Sequence, residues 1–134
     1  MKVVLDADVL IGALDGLDSH HVDARALFGE WHEHDISRLI SVVNLSEVLV
    51  APSADQRRLR SAREAIAALG VAIHQPGEAI GVEAARLRGR QPISLPDAYC
   101  LATAKHVSAA VVSFDRKVIR AATAERIGPV TPKR

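Results

Sequence analysis

The chain has 134 residues, of which 49% are hydrophobic, 25% charged and 3% aromatic, and its formal net charge is +1. This composition indicates one globular domain and excludes a disordered chain, while the near balance of charge neither requires nor excludes a nucleic-acid partner. The single cysteine excludes an internal disulfide and a multi-cysteine metal site. Because the N-terminus lacks a signal-peptide pattern and no apolar stretch approaches roughly 20 residues, we expect a soluble cytoplasmic domain that does not associate with membranes.

The first half of the chain alternates between apolar segments of strand length and segments with helical periodicity. Its first strand is short, apolar and β-branched, as expected for a buried strand. In order, the predicted elements are a strand at 2–5, a helix that follows Asp8 and ends near Gly16, a helix over 19–34, a strand at 38–43 and a helix that begins at Asn44.

The second half continues this alternation. A helix over 53–69 has Ser53 as its predicted N-cap and Gly70 just beyond its end. It is followed by a strand at 71–75, a helix at 77–89, a loop at 91–96, a helix at 97–106, a strand at 109–114, a short helix from Asp115 and a Pro-containing tail. This order predicts a single α/β domain over residues 1–134, a three-layer α/β/α sandwich around a central, mainly parallel sheet of four to five strands.

Four of the 16 acidic residues stand apart from those on the helix faces. Asp6 closes the first predicted strand, Glu47 follows the second by one turn, Asp97 opens a helix, and Asp115 follows the fourth strand. In open α/β sheets, ligands bind in the crevice beyond the carboxyl ends of the strands. We therefore expect these four carboxylates to meet at one edge of the sheet.

Each of these acids also has a purely structural explanation. Glu47 is three residues beyond Asn44, as in a capping box. Asp97 lies in a first helical turn, where a carboxylate interacts favourably with the helix dipole, and Asp115 is able to cap the last helix. Asp6 is the hardest to explain in this way because its neighbours are apolar.

The cost of gathering carboxylates favours a bound cation. Two carboxylates about 5 Å apart repel by roughly 1 kcal/mol in water and by about 3 kcal/mol at an effective dielectric constant near 20. Several such pairs would consume much of the stability of a domain, which is about 5–15 kcal/mol. If the four acids converge, a divalent cation is the natural compensation, and a site made of oxygen ligands suits Mg²⁺ or Mn²⁺ rather than Zn²⁺.

Four segments together make the chain resemble the PIN-domain ribonucleases, and most closely the VapC-type toxins of prokaryotic toxin–antitoxin pairs. They occur in the order and at the spacing of that family, over nearly the whole chain. They are VVLDADVLIGAL, ISVVNLSEVL, ISLPDAYCLATAKH and AAVVSFDRKV. The resemblance implies a parallel sheet flanked by helices, in agreement with the fold predicted from periodicity.

The resemblance also implies a role for individual residues. Asp6, Glu47, Asp97 and Asp115 match the acidic quartet of the family, which is both catalytic and metal-binding. Ser113 matches a small polar position of the family that supports the last acid, and Asp8 is a further supporting candidate because positions 6 and 8 of a strand face the same way. The family often has Ser, Thr or Asn at the position of Asp8, so two interpretations stay open: this carboxylate adds a metal ligand or orders water, or it caps the helix that begins with Val9.

The function implied is Mg²⁺- or Mn²⁺-dependent endoribonuclease activity, with the chain as the toxin of a type II pair. RNA is then the substrate, and a homodimer and a cognate antitoxin are the expected partners. Arg116 and Lys117 lie beside Asp115 and are candidates for binding RNA phosphates. Because aromatic residues are few, we expect recognition of RNA shape and backbone.

Two alternatives from other classes remain. The segment VVLDADV also matches the D-x-D motif of haloacid-dehalogenase-like phosphatases, with Asp6 as nucleophile and Asp8 as acid and base. That class needs a later acidic pair, which VVSFDRK lacks, and 134 residues is short for it. The second alternative is a non-catalytic binding or signalling domain, which a complete acidic quartet disfavours.

Overall fold

The computed structural model describes residues 1–130, so the last four residues of the predicted tail lie outside the described residues. The first half contains β1 (Lys2–Leu5), α1 (Ala7–Leu14), α2 (His21–Glu33), β2 (Ser37–Ser41), α3 (Val42–Leu49) and a 3₁₀ turn (Pro52–Ala54). The second half contains α4 (Gln56–Ala68), β3 (Val71–His74), α5 (Glu78–Arg90), α6 (Leu95–Val107), β4 (Ala110–Val112), α7 (Arg116–Ala124) and β5 (Pro129–Val130).

The five strands form one sheet in the order β3-β2-β1-β4-β5, and every pair of neighbours is parallel. Val4 at the centre of β1 lies opposite Leu39 on one side and Val111 on the other. From β1 the chain first extends the sheet through β2 to β3, and then returns to add β4 and β5 on the opposite side. The strand order therefore reverses between β1 and β4, which is where open α/β sheets form their ligand crevice.

Helices cover both faces of the sheet, so the predicted three-layer α/β/α architecture is confirmed. Alternate side chains of β1 enter different layers, because successive residues of a strand point to opposite faces. Val3 and Leu5 pack with helices α1 to α4, whereas Val4 packs with α5 to α7. None of the helices in the described part of the chain is long and apolar enough to cross a membrane.

Two helices at the carboxyl edge of the sheet begin earlier than the sequence predicts. Helix α1 is capped by Asp6, so the interpretation that Asp8 caps it is wrong; Asp8 lies in its first turn. Helix α3 is capped by Ser41, whose side chain accepts the N–H of Val43 at 3.2 Å. The predicted cap, Asn44, is therefore inside the helix, and the segment predicted as a strand to residue 43 ends at Ser41.

Other boundaries differ for the same reason, namely that a nearby polar side chain captures the free N–H groups of a first helical turn. Helix α4 is capped by Asp55 rather than by Ser53, and helix α6 by Ser94, so that Asp97 is its third residue. The short strand β5 comes from the tail, where two residues pair with β4. The other predicted strands are confirmed to within two residues at each end.

Removal of side-chain volume from the core is expected to destabilise the domain. Leu10 of α1 is fully buried, so Leu10→Ala should lower the free energy of unfolding by about 2–5 kcal/mol. Leu17 is 97% exposed, which makes Leu17→Ala the matched control with almost no effect. Urea denaturation followed by circular dichroism measures both, and equal losses of stability in the two variants would contradict this packing.

Candidate active site at the carboxyl ends of the strands

Asp6 lies at the reversal point of the sheet, directly after β1, and only 5% of its surface is exposed. One carboxylate oxygen, Oδ1, accepts the backbone N–H of Ala7 at 2.8 Å. The other, Oδ2, accepts the hydroxyl of Ser113 at 2.7 Å. The N-terminus of α1 adds the positive end of its dipole, so the carboxylate is held by donors on both oxygens.

Ser113 connects the end of β4 to the other side of the crevice. Its single hydroxyl proton goes to Asp6, since the distance from Oγ to Asp8 Oδ2 is 3.5 Å against 2.7 Å to Asp6 Oδ2. The same Oγ accepts the N–H of Asp115 at 3.0 Å. Asp8 Oδ2 instead accepts the backbone N–H of Phe114 at 3.0 Å. These bonds tie the start of α1 to the segment between β4 and α7.

Glu47 and Asp97 approach the crevice on two helices that are joined by Asn44. The side-chain amide of Asn44 donates to Glu47 Oε1 at 3.1 Å and to the carbonyl oxygen of Pro96 at 3.0 Å. Because Pro96 precedes Asp97, this amide connects the first turn of α3 to the first turn of α6. No sequence pattern identifies Asn44 for this role, since its second partner lies far along the chain.

Burial and mutual repulsion show in the acid–base properties of the site. Burial first, and then the charges of Asp8 and Asp97, raise the pKa of Asp6 to about 7, against the lowering effect of the Ser113 and Ala7 hydrogen bonds. Burial also raises the pKa of Asp8 to about 6. The N–H of Phe114 lowers the pKa of Asp8, and the charge of Asp115 raises it.

Asp6, Asp8, Glu47, Asp97 and Asp115 share one electrostatic neighbourhood at the carboxyl edge of the sheet. The charges of Asp8 and Asp97 raise the pKa of Asp6. The pKa of the buried Cys100 thiol is raised by burial and by the charges of four acids, namely Asp6, Asp97, Asp8 and Glu47. Asp6 is buried, Asp8 and Asp97 are half-buried, and Glu47 and Asp115 are exposed. The crevice therefore has a buried carboxylate at its floor and exposed carboxylates at its rim.

The donor set suits a hard cation, although the side chains are not drawn together around one point. Among residues 1–130, no group of three or more Asp, Glu, His or Cys side chains is arranged to hold a metal ion. The chemistry nevertheless fits, because the available ligands are carboxylate oxygens, which Mg²⁺ and Mn²⁺ prefer. Asp8 Oδ1 is also buried and, within the described residues, accepts no hydrogen bond. A bound cation would favour the ionised forms of Asp6 and Asp8 against the burial and the repulsion that raise both pKa values.

Two aromatic side chains border the crevice near Asp8. The rings of His20 and Phe114 stack with centroids 4.3 Å apart and an interplanar angle of 4°. The charge of His20 lowers the pKa of Asp8 and so favours its ionised form. Nothing in the local sequence marks this pair, because the two residues come from different ends of the chain.

The predicted RNA-binding residues lie on the rim of the crevice. Arg116 and Lys117 are exposed in the first turn of α7, and the N–H of Lys117 donates to the capping carboxylate of Asp115 at 2.9 Å. Their side chains therefore begin beside the exposed acid of the site, where a bound phosphate backbone would need positive charge.

The family profile of the PIN domain matches residues 3–124. This match covers most of the chain and includes all five acids, so the chain belongs to the PIN domain family, as its sequence motifs predict. PIN domains are nucleases and generally use divalent metal ions, which supports a hydrolase acting on nucleic acid.

Solved structures share this fold. A toxin–antitoxin complex from Klebsiella pneumoniae is 22% identical, with a TM-score of 0.72 over 87% of this chain and 89% of that one. VapBC2 from Rickettsia felis, bound to a promoter DNA fragment, is 14% identical, with a TM-score of 0.73 over 99% and 100%. VapC20 of Mycobacterium tuberculosis, a toxin that cleaves the sarcin–ricin loop, is 16% identical, with a TM-score of 0.73 over 89% and 94%. No curated protein sequence matches the chain.

The raised pKa of Asp6 predicts that the protein becomes less stable as pH rises. A carboxyl with a pKa of 3.8 when unfolded and about 7 when folded binds its proton more tightly in the folded state. Between about pH 4 and pH 7 the folded protein therefore holds more protons, and its free energy of unfolding decreases as pH increases. We expect urea denaturation with EDTA present to give lower stability at about pH 7.5 than at about pH 5.

Asp6→Asn removes this titration and should make the pH dependence less steep, leaving the smaller contribution of Asp8, whose pKa is raised to about 6. Glu33→Gln changes the charge equally at an exposed position on α2 and should follow the wild type. A pH dependence in Asp6→Asn as steep as that of the wild type would contradict the assignment to Asp6.

Proposed function

We propose that this chain is a Mg²⁺- or Mn²⁺-dependent endoribonuclease and the toxin of a type II toxin–antitoxin pair. The observation that carries this proposal is the crevice of five carboxylates at the reversal point of the sheet, in a chain that belongs to a nuclease family. The reaction is hydrolysis of an internal phosphodiester that leaves a 5′-phosphate and a 3′-hydroxyl.

One or two divalent cations, when bound, supply activation of a water and neutralisation of charge at the scissile phosphate. Asp6, Asp97 and Asp115 would hold such a cation directly or through water. Glu47 would hold a second cation or orient the attacking water. These carboxylates come from four separate segments of the chain: Asp6 follows β1, Glu47 lies in α3, Asp97 is in the first turn of α6, and Asp115 caps α7.

The residues around the quartet orient it. The hydroxyl of Ser113 donates to Asp6 and accepts from the N–H of Asp115. One side chain therefore bonds to both acidic residues and holds them close to each other. Asp8 retains a buried, unpartnered oxygen among the described residues, which supports the interpretation that it adds a ligand or orders water. Arg116 and Lys117 neutralise the RNA backbone at the mouth of the crevice.

The two alternatives are less well supported. Membership of the PIN domain family favours nuclease chemistry over a haloacid-dehalogenase-like phosphatase. A non-catalytic domain would have no use for a buried carboxylate beside other acids, an arrangement in which burial first, and then the charges of Asp8 and Asp97, raise the pKa of Asp6 to about 7. That cost is understandable if a cation is part of the working site.

We also propose a cognate antitoxin that covers the crevice. One of the similar structures is described as a toxin–antitoxin complex, and another as a toxin. An apolar groove of about 530 Å³ runs between α1, α3 and α4 and reaches Glu47. It is lined in part by Ile11, Leu14, Val48, Ala62 and Ala65. An antitoxin segment could place apolar side chains in this groove and a positively charged side chain, such as that of arginine, beyond Glu47. It would then complement both the apolar groove and the acidic crevice.

Asp6→Asn and Asp97→Asn are expected to lower Mg²⁺-dependent RNA cleavage by about 100-fold or more, because each removes a proposed ligand of the cation. Cleavage of a structured RNA by the purified protein, with Mg²⁺ or with EDTA, measures this. Glu33→Gln, which removes an exposed carboxylate from α2, is the control and should cleave as the wild type does.

Wild-type cleavage by both site variants would overturn the proposal. A small chromogenic phosphate ester tests the phosphatase alternative in the same samples. Turnover of this ester together with inactivity on RNA would favour the phosphatase.

We also propose that the chain forms a homodimer, as the sequence resemblance implies, which predicts a particle of twice the chain mass of 14.4 kDa. Size-exclusion chromatography with light scattering at micromolar concentration measures this mass. Addition of a co-expressed antitoxin should increase it further. A monomer under these conditions, with or without Mg²⁺, would contradict the proposed homodimer.

A further inference from the structure

Asn44 is a polar side chain in a place where apolar ones are expected. It is fully buried, and it belongs to the largest side chains that have no exposed surface. Its neighbours in α3, Leu45 and Val48, are core residues. A buried carboxamide is tolerated only when its hydrogen-bonding groups are used, so its partners indicate why it is there.

Both protons of the Asn44 amide are donated toward the acidic crevice. One goes to Glu47 Oε1 at 3.1 Å, one helical turn along α3, and the other to the Pro96 carbonyl at 3.0 Å in the first turn of α6. Both partners are acceptors, so exchanging the nitrogen and oxygen of the amide would place oxygen against oxygen. The orientation is therefore determined by the partners, and Oδ1 remains a buried acceptor that has no donor among the described residues.

This arrangement favours positioning over packing. An apolar residue of similar volume would fill the same space without leaving an unpaired acceptor in the core. Glu47 is exposed, and an exposed glutamate is free to sample several rotamers unless a neighbour holds it. The unpaired oxygen destabilises the folded protein. This loss of stability is understandable if the two donated bonds hold Glu47 at a defined place relative to the first turn of α6, which contains Asp97.

We propose that Asn44 is a positioning residue that holds the Glu47 carboxylate against the first turn of α6, so that Glu47 and Asp97 present their oxygens to the same cation. The inference rests on the proposed function, because it assigns Glu47 and Asp97 to a divalent-cation site. Asn44 itself touches neither the cation nor the RNA. It acts through Glu47.

The test is the affinity for Mn²⁺ alone, measured by electron paramagnetic resonance of the free ion. Asn44→Leu keeps the volume and removes both donors, and we expect binding about 10-fold weaker. Thr103→Val is the matched control, because Thr103 is also fully buried with an unpartnered side-chain oxygen within the described residues. Its affinity should equal that of the wild type.

A double-mutant cycle with Glu47→Gln separates positioning from general loss of structure. If Asn44 acts through Glu47, the Asn44→Leu substitution has little further effect once Glu47 is glutamine. Additive losses, or unchanged Mn²⁺ affinity in a folded Asn44→Leu protein, would overturn the inference. A wild-type protein that binds no Mn²⁺ would instead overturn the proposed function, so the two failures are distinguishable.

A measurement on the wild type covers the case in which Asn44→Leu does not fold. In NMR spectra of the wild type, the side-chain amide proton of Asn44 that bonds to Glu47 should shift when Mg²⁺ is added, because the acceptor then shares its charge with the cation. The methyl group of Thr103 reports on unrelated changes in the core, and its chemical shift should stay the same. An Asn44 amide that does not respond to saturating Mg²⁺ would overturn the inference.

Discussion

The arrangement of this protein depends on one carboxylate, that of Asp6, which is kept from water at the end of the central strand. Burial and the neighbouring acids raise its pKa to about 7, so its ionised form is costly. The hydroxyl of Ser113, the N–H of Ala7 and the positive end of α1 reduce this cost without removing it. What remains is a site that gains stability from a proton or a cation.

The parallel sheet explains why other acids share this environment. All five strands end at the same edge, and the order reverses between β1 and β4, so the segments that follow these strands diverge and leave a crevice. Asp6 and Asp8 enter this crevice from the segment that follows β1, and Asp115 enters it from the segment that follows β4. The gradation from a buried Asp6 to an exposed Asp115 suits the proposed function, in which a small cation binds at the floor and a large polyanion at the mouth.

The sequence predicts the strands and the layers well because these depend on local pattern. Short β-branched runs such as that of β1 form buried strands wherever helices cover both faces. Helix starts are less predictable, since several nearby polar residues compete for the free N–H groups. Ser41 rather than Asn44 caps α3, and Asp6 rather than Asp8 caps α1. In both cases the displaced residue makes contacts with a distant segment instead.

By itself the sequence determined the types of the elements other than β5, the layered architecture and the identity of the acids that follow the strands, because periodicity and strand ends are local properties of the chain. Only the tertiary structure decided which hydrogen bonds orient the acidic residues and the helices that carry them. The bonds from Ser113 to Asp6, from Phe114 to Asp8 and from Asn44 to Pro96 join segments that are distant in the chain. Such bonds depend on how both helical layers pack against the sheet, and packing at that distance leaves no local pattern in the sequence.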